Sequence, residues 1–140
     1  MTALATRRAR ITRVRKVQHL QAVGAAAQAE GKLVQLEGND ARLQSLRESL
    51  SGETGITSGA ALSHARELAM RLDDVRHGLQ KTIVSAREAV ELRSVERMGA
   101  HIARESAERL QTRAVADMHK MIEERMLASF RPRRKETDHG

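Results

Sequence analysis

The sequence predicts an all-α protein, a long antiparallel two-helix coiled-coil hairpin whose second helix is longer than its first. Three observations support this class. Hydrophobic residues make up 40% of the 140-residue chain but aromatic residues only 1%, and the single proline is Pro132. A chain rich in helix-favouring residues and almost free of helix breakers has the composition of long helices or coiled coils. Three glycines then cluster within residues 49–59, between two arms that both show helical periodicity.

The first arm is predicted to be a helix over about residues 3–50. It opens with a sparse apolar stripe of Leu4, Ile11, Val14, Val17, Leu20 and Val23. Leucines then recur every seven positions, at Leu36, Leu43 and Leu50, with Leu33 and Leu46 beside them. A seven-residue repeat keeps one face of a helix turned toward a partner helix, so these side chains are expected to form the seam.

A single tight turn is predicted over residues 51–58. Gly52 stands where a helix C-cap is expected, because glycine tolerates the backbone conformation that ends helices. Thr57 or Ser58 can cap the next helix by accepting a hydrogen bond from one of its free amides. Ile56 can fold back onto that helix as a hydrophobic staple. Stop, turn and start signals therefore follow one another within about ten residues.

The second arm is predicted to be a helix over about residues 59–130. Its expected seam comprises Leu68, Leu72, Val75, Leu79, Ile83, Ala86, Val90, Leu92, Val95, Ile102, Leu110, Met118, Met121, Ile122 and Met126. Acid-before-base pairs four residues apart, such as Glu67 with Arg71, give modest helix support on the exposed face. Residues 1–135 are expected to form one helical hairpin, and residues 131–140 to be a basic, disordered tail.

Antiparallel arms of unequal length make the rod polar. A turn this short makes the two helices antiparallel neighbours, so both chain ends lie at the same end of the rod. Arg7, Arg8 and Arg10 belong to a run of cations in which no acid appears before Glu30. The second arm is expected to extend about 20 residues, or about 30 Å, beyond the first. Its apolar stripe should be uncovered there, at Met118 and Met121, and an uncovered stripe indicates a partner surface.

The sequence contains no pattern of catalytic, metal-binding or cofactor-binding residues. His101 with Glu105, and His119 with Glu123, have the spacing of two metal ligands, but two ligands are too few for a structural site. Adjacent carboxylates, as at residues 73–74, point about 100° apart on a helix, so they do not share a site. We therefore expect a protein that is not an enzyme and that has no cofactor, no metal and no small-molecule substrate.

Composition also bounds the location of the protein. There is no cysteine, which fits a reducing compartment. The basic N-terminus is not followed by an apolar region of the kind found in signal peptides. No apolar run reaches the ~20 residues that a membrane-spanning helix needs. We expect a soluble, cytoplasmic protein.

The net charge of +7 is compatible with three kinds of partner: nucleic acid, an anionic membrane or an acidic protein. Nucleic acid is the less economical interpretation, since the chain has no stacking aromatics and no recognisable recognition fold. An acidic protein surface fits better because both basic clusters are expected at one tip. A basic coiled coil that associates with nucleic acid stays as the alternative function.

The turn and the tail together resemble the FliJ family of the bacterial flagellar export apparatus. The resemblance rests on Gly55-Ile56-Thr57-Ser58 between a helical arm of about 50 residues and a longer one. It rests also on the segment Asp117-Met118-His119-Lys120-Met121-Ile122-Glu123, which is followed by a basic end. In architecture the likeness covers almost the whole chain.

The resemblance implies a specific role. Proteins of this family are antiparallel two-helix coiled coils similar to the central shaft of rotary F-type ATPases. The end that carries both termini sits in the hexameric ring of the export ATPase, FliI. The turn end reaches the membrane gate protein FlhA, and the proteins also handle export chaperones. The implied place is the cytoplasm, peripheral to the inner membrane at the flagellar base, in flagellum biogenesis and motility. An injectisome stalk is a close variant.

Carried onto this chain, the resemblance assigns two sets of contact residues. The ring-binding end would comprise Arg7, Arg8, Arg10, Met118, Met121, Arg131, Arg133 and Arg134. The gate-binding stripe near the turn would comprise Leu33, Glu37, Asp40, Gln44, Glu67, Arg71, Asp74 and Gly78. The family has aromatic and aliphatic residues at several stripe positions where this chain has charged ones. Either the contact is more polar here, or the register differs by one and Leu68 and Leu72 take the role.

Overall fold

The computed structural model describes residues 2–52 and 58–130, which form two helices and, within those ranges, no strand. Helix α1 is Ala3–Gly52, with 50 residues, and helix α2 is Gly59–Phe130, with 72 residues. The all-α class and the longer second helix are thereby confirmed. The predicted helix bounds differ from the observed ones only at the end of α1, which continues two residues past Leu50.

Side-chain oxygens cap the first turn of both helices. The Thr2 hydroxyl accepts a hydrogen bond from the Ala5 amide at 3.2 Å, and the Ser58 hydroxyl accepts one from the Ala61 amide at 3.2 Å. Each bond satisfies one of the amides that a helix start leaves without an intrahelical partner. Of the two predicted caps of the second helix, Ser58 is thus confirmed. Gly52 is the last residue of α1.

The contacts divide the chain into two compact units. The terminal unit comprises Met1–His19 with Ala100–Gly140, and the middle unit comprises Leu20–Gly99. Within each unit, one stretch of α1 pairs with one stretch of α2. The direction of pairing is antiparallel in both, because later residues of α1 contact earlier residues of α2.

Leucine side chains form the seam of the middle unit. The large aliphatic residues that are half-buried or buried are Leu33, Leu36, Leu43 and Leu50 on α1, and Leu72, Leu79, Ile83 and Val90 on α2. Ile83, at 2% exposure, is the most deeply buried of them. The alanines Ala26 and Ala69 are buried as well. One polar pair interrupts this seam, since Arg76 Nε donates to Asp40 Oδ1 at 3.1 Å. The predicted seven-residue leucine seam is therefore confirmed at these positions.

Small and polar side chains form the seam of the terminal unit. Ala5 and Thr12 on α1 are almost fully buried, at 1% and 2% exposure, and Ala107 and Ala114 on α2 are buried as well. The single hydroxyl proton of Thr12 is shared between two backbone carbonyls, that of Arg8 at 3.0 Å and that of Ala107 on the other helix at 3.2 Å. A short side chain reaches a backbone carbonyl across a helix pair only where the helices approach closely, and alanine at the contact permits that approach.

The predicted seam is wrong at many of its apolar positions. On α2, Leu68, Val75, Leu92, Val95, Ile102 and Leu110 are exposed, and on α1 so are Leu4, Ile11, Val14, Val17, Leu20, Val23 and Leu46. The physical reason lies in the period. Positions 5, 12, 19, 26, 33, 40 and 47 keep a strict spacing of seven, and all are buried or half-buried. Apart from Leu33, they hold alanine, threonine, histidine and the ion-pairing Asp40 and Arg47 in place of large apolar groups. The apolar residues assigned to the seam by their hydrophobicity lie beside it.

Neither described helix has a stretch long and apolar enough to span a bilayer.

Candidate protein-binding surface

The cations at the start of α1 have few internal partners. Arg7, Arg10 and Arg13 are exposed and Arg8 is half-buried, and among the described residues none of the four forms an ion pair. The next two cations do have partners: Arg15 Nη1 donates to Gln18 Oε1 at 3.1 Å, and Lys16 Nζ lies 3.9 Å from Glu108 Oε1. The first two to three turns of α1 therefore present guanidinium groups whose charge is not neutralised within the structure.

The net positive charge of the protein lies in the terminal unit. By sequence, residues 1–19 and 100–140 contain 15 Lys and Arg against 7 Asp and Glu, a balance of +8. Residues 20–99 contain 10 against 11, a balance of −1, and the two balances together give the +7 of the whole chain. A concentrated positive field attracts and steers acidic partners.

Three arginines of the middle unit form ion pairs across the two helices. Arg47 lies 3.2 Å from Asp73, Arg76 lies 3.1 Å from Asp40, and Arg87 lies 3.3 Å from Glu37, each across the two helices. These cations hold the helix pair together. The start of α1 differs in that four arginines within seven residues, from Arg7 to Arg13, form no ion pair with a described residue.

An apolar surface lies next to the basic one. All residues from 119 to 130 are exposed, including the large apolar residues Met121, Ile122, Met126, Leu127 and Phe130. Exposure of Met121 is 46% and of Phe130 77%. The predicted uncovered stripe is thus confirmed at Met121, whereas Met118 is half-buried at the edge of the helix pair.

Sequence reasoning missed the exposed apolar residues of α1 as surface residues. Leu4, Ile11 and Val14 were assigned to the seam, but they are 53%, 37% and 54% exposed. They alternate along α1 with the unpaired arginines. Extending the strict seven-residue spacing backwards from Leu33 to Ala5 would have placed these residues outside the seam. The terminal unit therefore offers both charge and apolar area to a partner, the two features that stabilise protein interfaces.

A layer of polar side chains lies in the seam of the terminal unit, about two helical turns after Thr12 along α1. We define the polar layer as His19 of α1 with His101, Arg104 and Glu108 of α2. The two imidazole rings lie 5.5 Å apart at their centroids, tilted by 48°. Arg104 Nη1 lies 3.4 Å from His19 Nδ1, and Arg104 Nε lies 3.8 Å from Glu108 Oε1. At 3.8 Å the Arg104–Glu108 contact is an ion pair but not a hydrogen bond, so the buried Nε has no acceptor.

The residues assigned to a gate contact all belong to the middle unit. Leu33 is half-buried, and Glu37 and Asp40 bind arginines of the opposite helix. Gln44 donates to Glu48 Oε1 at 3.3 Å, and the Glu67–Arg71 pair, at 2.8 Å, has the predicted i,i+4 geometry. The exposed members of this set are thus Glu37, Gln44, Glu67 and Arg71, together with Asp74 and Gly78.

Several assigned residues lie outside the described part of the chain. These are Gly55, Ile56 and Thr57 of the turn, and Arg131, Arg133 and Arg134 of the basic end. Among the described residues, no group of three His, Asp or Glu side chains is placed to hold a metal ion. His101 Nε2 instead lies 3.3 Å from Glu105 Oε1, a local helical pair.

No family model, no curated protein and no solved structure matches the chain. What can be said of its partners therefore comes from the chain's own chemistry. The terminal unit combines unpaired guanidinium groups with exposed aliphatic and methionine side chains. Arginine and methionine are both enriched at protein–protein interfaces.

Proposed function

We propose that the protein is a non-enzymatic stalk or adaptor of a bacterial type III protein export ATPase, of the flagellar kind. The terminal unit binds inside the ring of a FliI-like ATPase hexamer, and the region near residues 52–58 faces an FlhA-like export gate. The protein works in the cytoplasm at the base of the flagellum, peripheral to the inner membrane, and also meets export chaperones. The close alternative is the equivalent stalk protein of an injectisome export ATPase.

One observation carries the proposal: the whole positive balance lies in the unit that contains both ends of the chain. The unpaired arginines of α1 and the exposed residues of α2 after Met118 belong to that unit. A protein that a ring binds at one end needs its ring-binding residues concentrated at that end. The resemblance of the turn and tail segments to the FliJ family supplies the identity of the ring.

The ATPase assay tests the proposal. Purified protein is expected to raise both hexamerisation and ATP hydrolysis of the export ATPase from the same organism. Replacing Arg7, Arg8 and Arg10 together by Glu is expected to abolish most of the stimulation, because it reverses the charge that the ring contacts. The reversal should leave the helix intact, since glutamate and arginine have similar helix propensities.

The middle unit provides a matched control. Arg42, Arg66 and Arg97 are also exposed, and none forms an ion pair with a described residue. Their combined reversal to Glu changes the net charge by the same amount but is expected to leave ATPase stimulation unchanged. Equal loss in both triple variants would show a non-specific charge effect and contradict the assigned end. No stimulation by the unaltered protein would remove the export-stalk proposal.

The gate contact is tested separately, in cells. Glu67→Arg together with Arg71→Glu exchanges the charges of the exposed pair near the start of α2 without changing the net charge. The expected result is reduced motility with ATPase stimulation retained. A variant that loses stimulation but keeps motility would reverse the assignment of the two ends.

Nucleic acid is not expected as a partner. Phe130 is the only aromatic ring of Phe, Tyr or Trp type in the chain, so base stacking cannot contribute much. Phosphate neutralisation alone gives binding that falls steeply with salt. A gel-shift titration at physiological salt is expected to show no complex at micromolar protein. A shift that survives this salt would favour the nucleic-acid interpretation over the export stalk.

A further inference from the structure

The side of α1 that faces away from α2 carries aliphatic side chains in the terminal unit. Buried Thr12 marks the side of α1 that contacts α2. At about 100° per residue, Val14 lies about 160° around the helix from Thr12. The exposed aliphatic residues within about 80° of Val14 form a row that we call the outer stripe, which comprises Leu4, Ile11, Val14 and Val17. One side of α1 thus packs on α2, and the opposite side presents apolar groups to solvent.

Arginines lie within the outer stripe and on both of its flanks. Arg7 and Arg10 lie within about 40° of Val14 around the helix, and Arg13 and Arg15 lie about 100° to either side of it. All four arginines are exposed. Residues 1–29 contain six Lys and Arg and no Asp or Glu, so the surface around the outer stripe has a single sign of charge.

The outer side of α2 in the same unit has a different composition. Between residues 100 and 118, the positions within about 50° of the direction opposite buried Ala107 are Ile102, Glu105, Arg109, Thr112 and Ala116. Only one of these five is a large apolar residue, and both signs of charge are present. A cationic surface with a continuous aliphatic stripe is therefore a property of α1, and not of every exposed helix face in this unit.

Charge and apolar area together discriminate between the possible occupants of this surface. A second copy of the chain would bring its own cations against these cations, and like charges repel. Nucleic acid would neutralise the arginines but leave the aliphatic groups without an apolar partner. Protein surfaces ordinarily intersperse both signs of charge, whereas the start of α1 has one sign only. An anionic bilayer has a uniformly negative surface above an apolar interior, and it matches both features.

We propose that the outer stripe and its arginines bind an anionic lipid bilayer, with α1 lying in the plane of the interface. The aliphatic side chains enter the boundary between headgroups and acyl chains, while Arg7 and Arg10 extend their guanidinium groups back to the phosphates. Helix α1 keeps its pairing with α2, because the seam is on the opposite side. The inference does not rest on the export-stalk function. The same arginines cannot contact lipid and an ATPase ring at once, so the two kinds of binding exclude each other.

Vesicle flotation with the full-length protein tests the charge requirement, in the absence of any ATPase. At physiological salt, the protein is expected to bind phosphatidylcholine vesicles that contain about 30% phosphatidylglycerol at least about tenfold more tightly than vesicles of phosphatidylcholine alone. Replacing Arg7, Arg10 and Arg13 together by Gln is expected to weaken binding to the anionic vesicles about 100-fold, since each cation near such a surface contributes about fivefold. Equal binding to both kinds of vesicle, or binding to neither, would overturn the proposal.

An apolar variant separates bilayer binding from attraction to any polyanion. Ile11→Gln with Val14→Gln keeps every charge, and glutamine has a better helix propensity than isoleucine or valine. The pair is expected to weaken binding to the anionic vesicles about tenfold or more, because two aliphatic groups no longer enter the bilayer. Val34→Gln with Val84→Gln, at exposed positions of the middle unit, is the matched control and is expected to bind as the unaltered protein does. Undiminished binding of the first pair, or equal loss in both pairs, would contradict insertion of the outer stripe.

Duplex DNA provides a second check on the same point. At a phosphate concentration equal to that of the anionic lipid, DNA is not expected to displace the protein from the vesicles, because it offers nothing to the outer stripe. Complete displacement would show that the surface is a nucleic-acid site, and would overturn the assignment to lipid.

Site-specific labelling tests which side of the helix pair meets the membrane. The chain has no cysteine, so Val14→Cys and Ala116→Cys each create a single attachment point for an environment-sensitive fluorophore. Both positions are exposed, Val14 on the outer side of α1 and Ala116 on the outer side of α2. Anionic vesicles are expected to shift the emission of the label at residue 14 to the blue and to leave the label at residue 116 unchanged. Equal shifts at both positions, or a shift at residue 116 alone, would overturn the proposed orientation of α1 on the bilayer.

Discussion

In the two units, different side chains lie between α1 and α2 and hold the helices together. The middle unit pairs α1 and α2 through leucine, isoleucine and valine together with the buried alanines Ala26 and Ala69, and adds three ion pairs between the helices. The terminal unit pairs them through alanine, a threonine–carbonyl bond and the polar layer, and Arg7, Arg8, Arg10 and Arg13 form no ion pair with a described residue. The middle unit thus resembles an ordinary coiled-coil seam, while the terminal unit gives up apolar burial and keeps its charges and large apolar groups on the surface.

This difference indicates that the residues that stabilise the fold are not the residues that are available to bind a partner. Burial of apolar area is the main stabilising term in folding, so the leucine seam should carry most of the unfolding free energy. The exposed arginines and methionines contribute little to stability and are available to a partner. The following predictions test this difference between the two units, in order from the largest expected effect to the smallest.

Truncation of the most buried large side chain should have the largest effect. Ile83→Ala is expected to lower the free energy of unfolding by about 2–4 kcal/mol, since it removes apolar contacts and leaves a cavity. Thermal or urea unfolding followed by circular dichroism measures it. The neighbouring Val84, which is exposed, is the control: Val84→Ala should change stability by less than about 0.5 kcal/mol. Similar losses at both positions would refute the assigned seam.

Enlarging a small seam residue should disturb the terminal unit alone. Ala107→Leu is expected to cost about 1–3 kcal/mol, because a larger side chain forces apart helices that approach closely at this point. Hydrogen exchange should show the loss of protection within residues 5–19 and 100–118. Ala116→Leu places the same side chain at an exposed position and should be close to neutral. Stabilisation by Ala107→Leu would show that α1 and α2 do not approach closely at this position.

Breaking the half-buried ion pair should have an intermediate effect. The side chains of Asp40 and Arg76 are 17% and 27% exposed, so Asp40→Asn leaves a partly buried guanidinium without its counter-charge. The expected cost is about 1–2 kcal/mol, reduced from that of a fully buried pair by solvent screening. Glu67→Gln, in the exposed pair with Arg71, should cost no more than about 0.5 kcal/mol. Equal costs would mean that burial does not distinguish these pairs.

Removal of the Thr12 hydroxyl should have the smallest effect. Thr12→Val keeps the shape of the side chain but loses the bond to the Ala107 carbonyl, for an expected cost of about 0.5–1.5 kcal/mol. Thr12→Ser keeps the hydroxyl and should retain the exchange protection of the Ala107 region better than valine does. Should valine prove as stable as threonine, apolar contact and not the hydrogen bond would account for this buried position.

The sequence was sufficient for the architecture but not for the whole register. Helix class, helix bounds, the Ser58 cap and the leucine seam follow from local signals: periodicity, glycine placement and capping chemistry. The seam of the terminal unit was misassigned because its buried positions hold Ala5, Thr12 and His19, which a search for large apolar side chains passes over. Packing between backbones that approach closely depends on geometry across the pair, and hydrophobicity along one helix does not reveal it.

The candidate surface was predictable in its charges and not in its apolar part. The run from Arg7 to Lys16 is visible in the sequence, and so is the absence of acid beside it. Which of these cations lack a partner depends on the opposite helix, since Glu108 reaches Lys16 but no described carboxylate reaches Arg7 or Arg10. Likewise, the exposure of Ile11 and Leu4 follows only once the seam is known.

The most direct test of the central claim is hydrogen exchange of the protein with and without the purified export ATPase. The account predicts added protection over residues 3–16 and 119–130, in the terminal unit, with residues 33–50 and 65–90 unchanged. Added protection confined to the middle unit, or none at ATPase concentrations that saturate the hydrolysis assay, would contradict it.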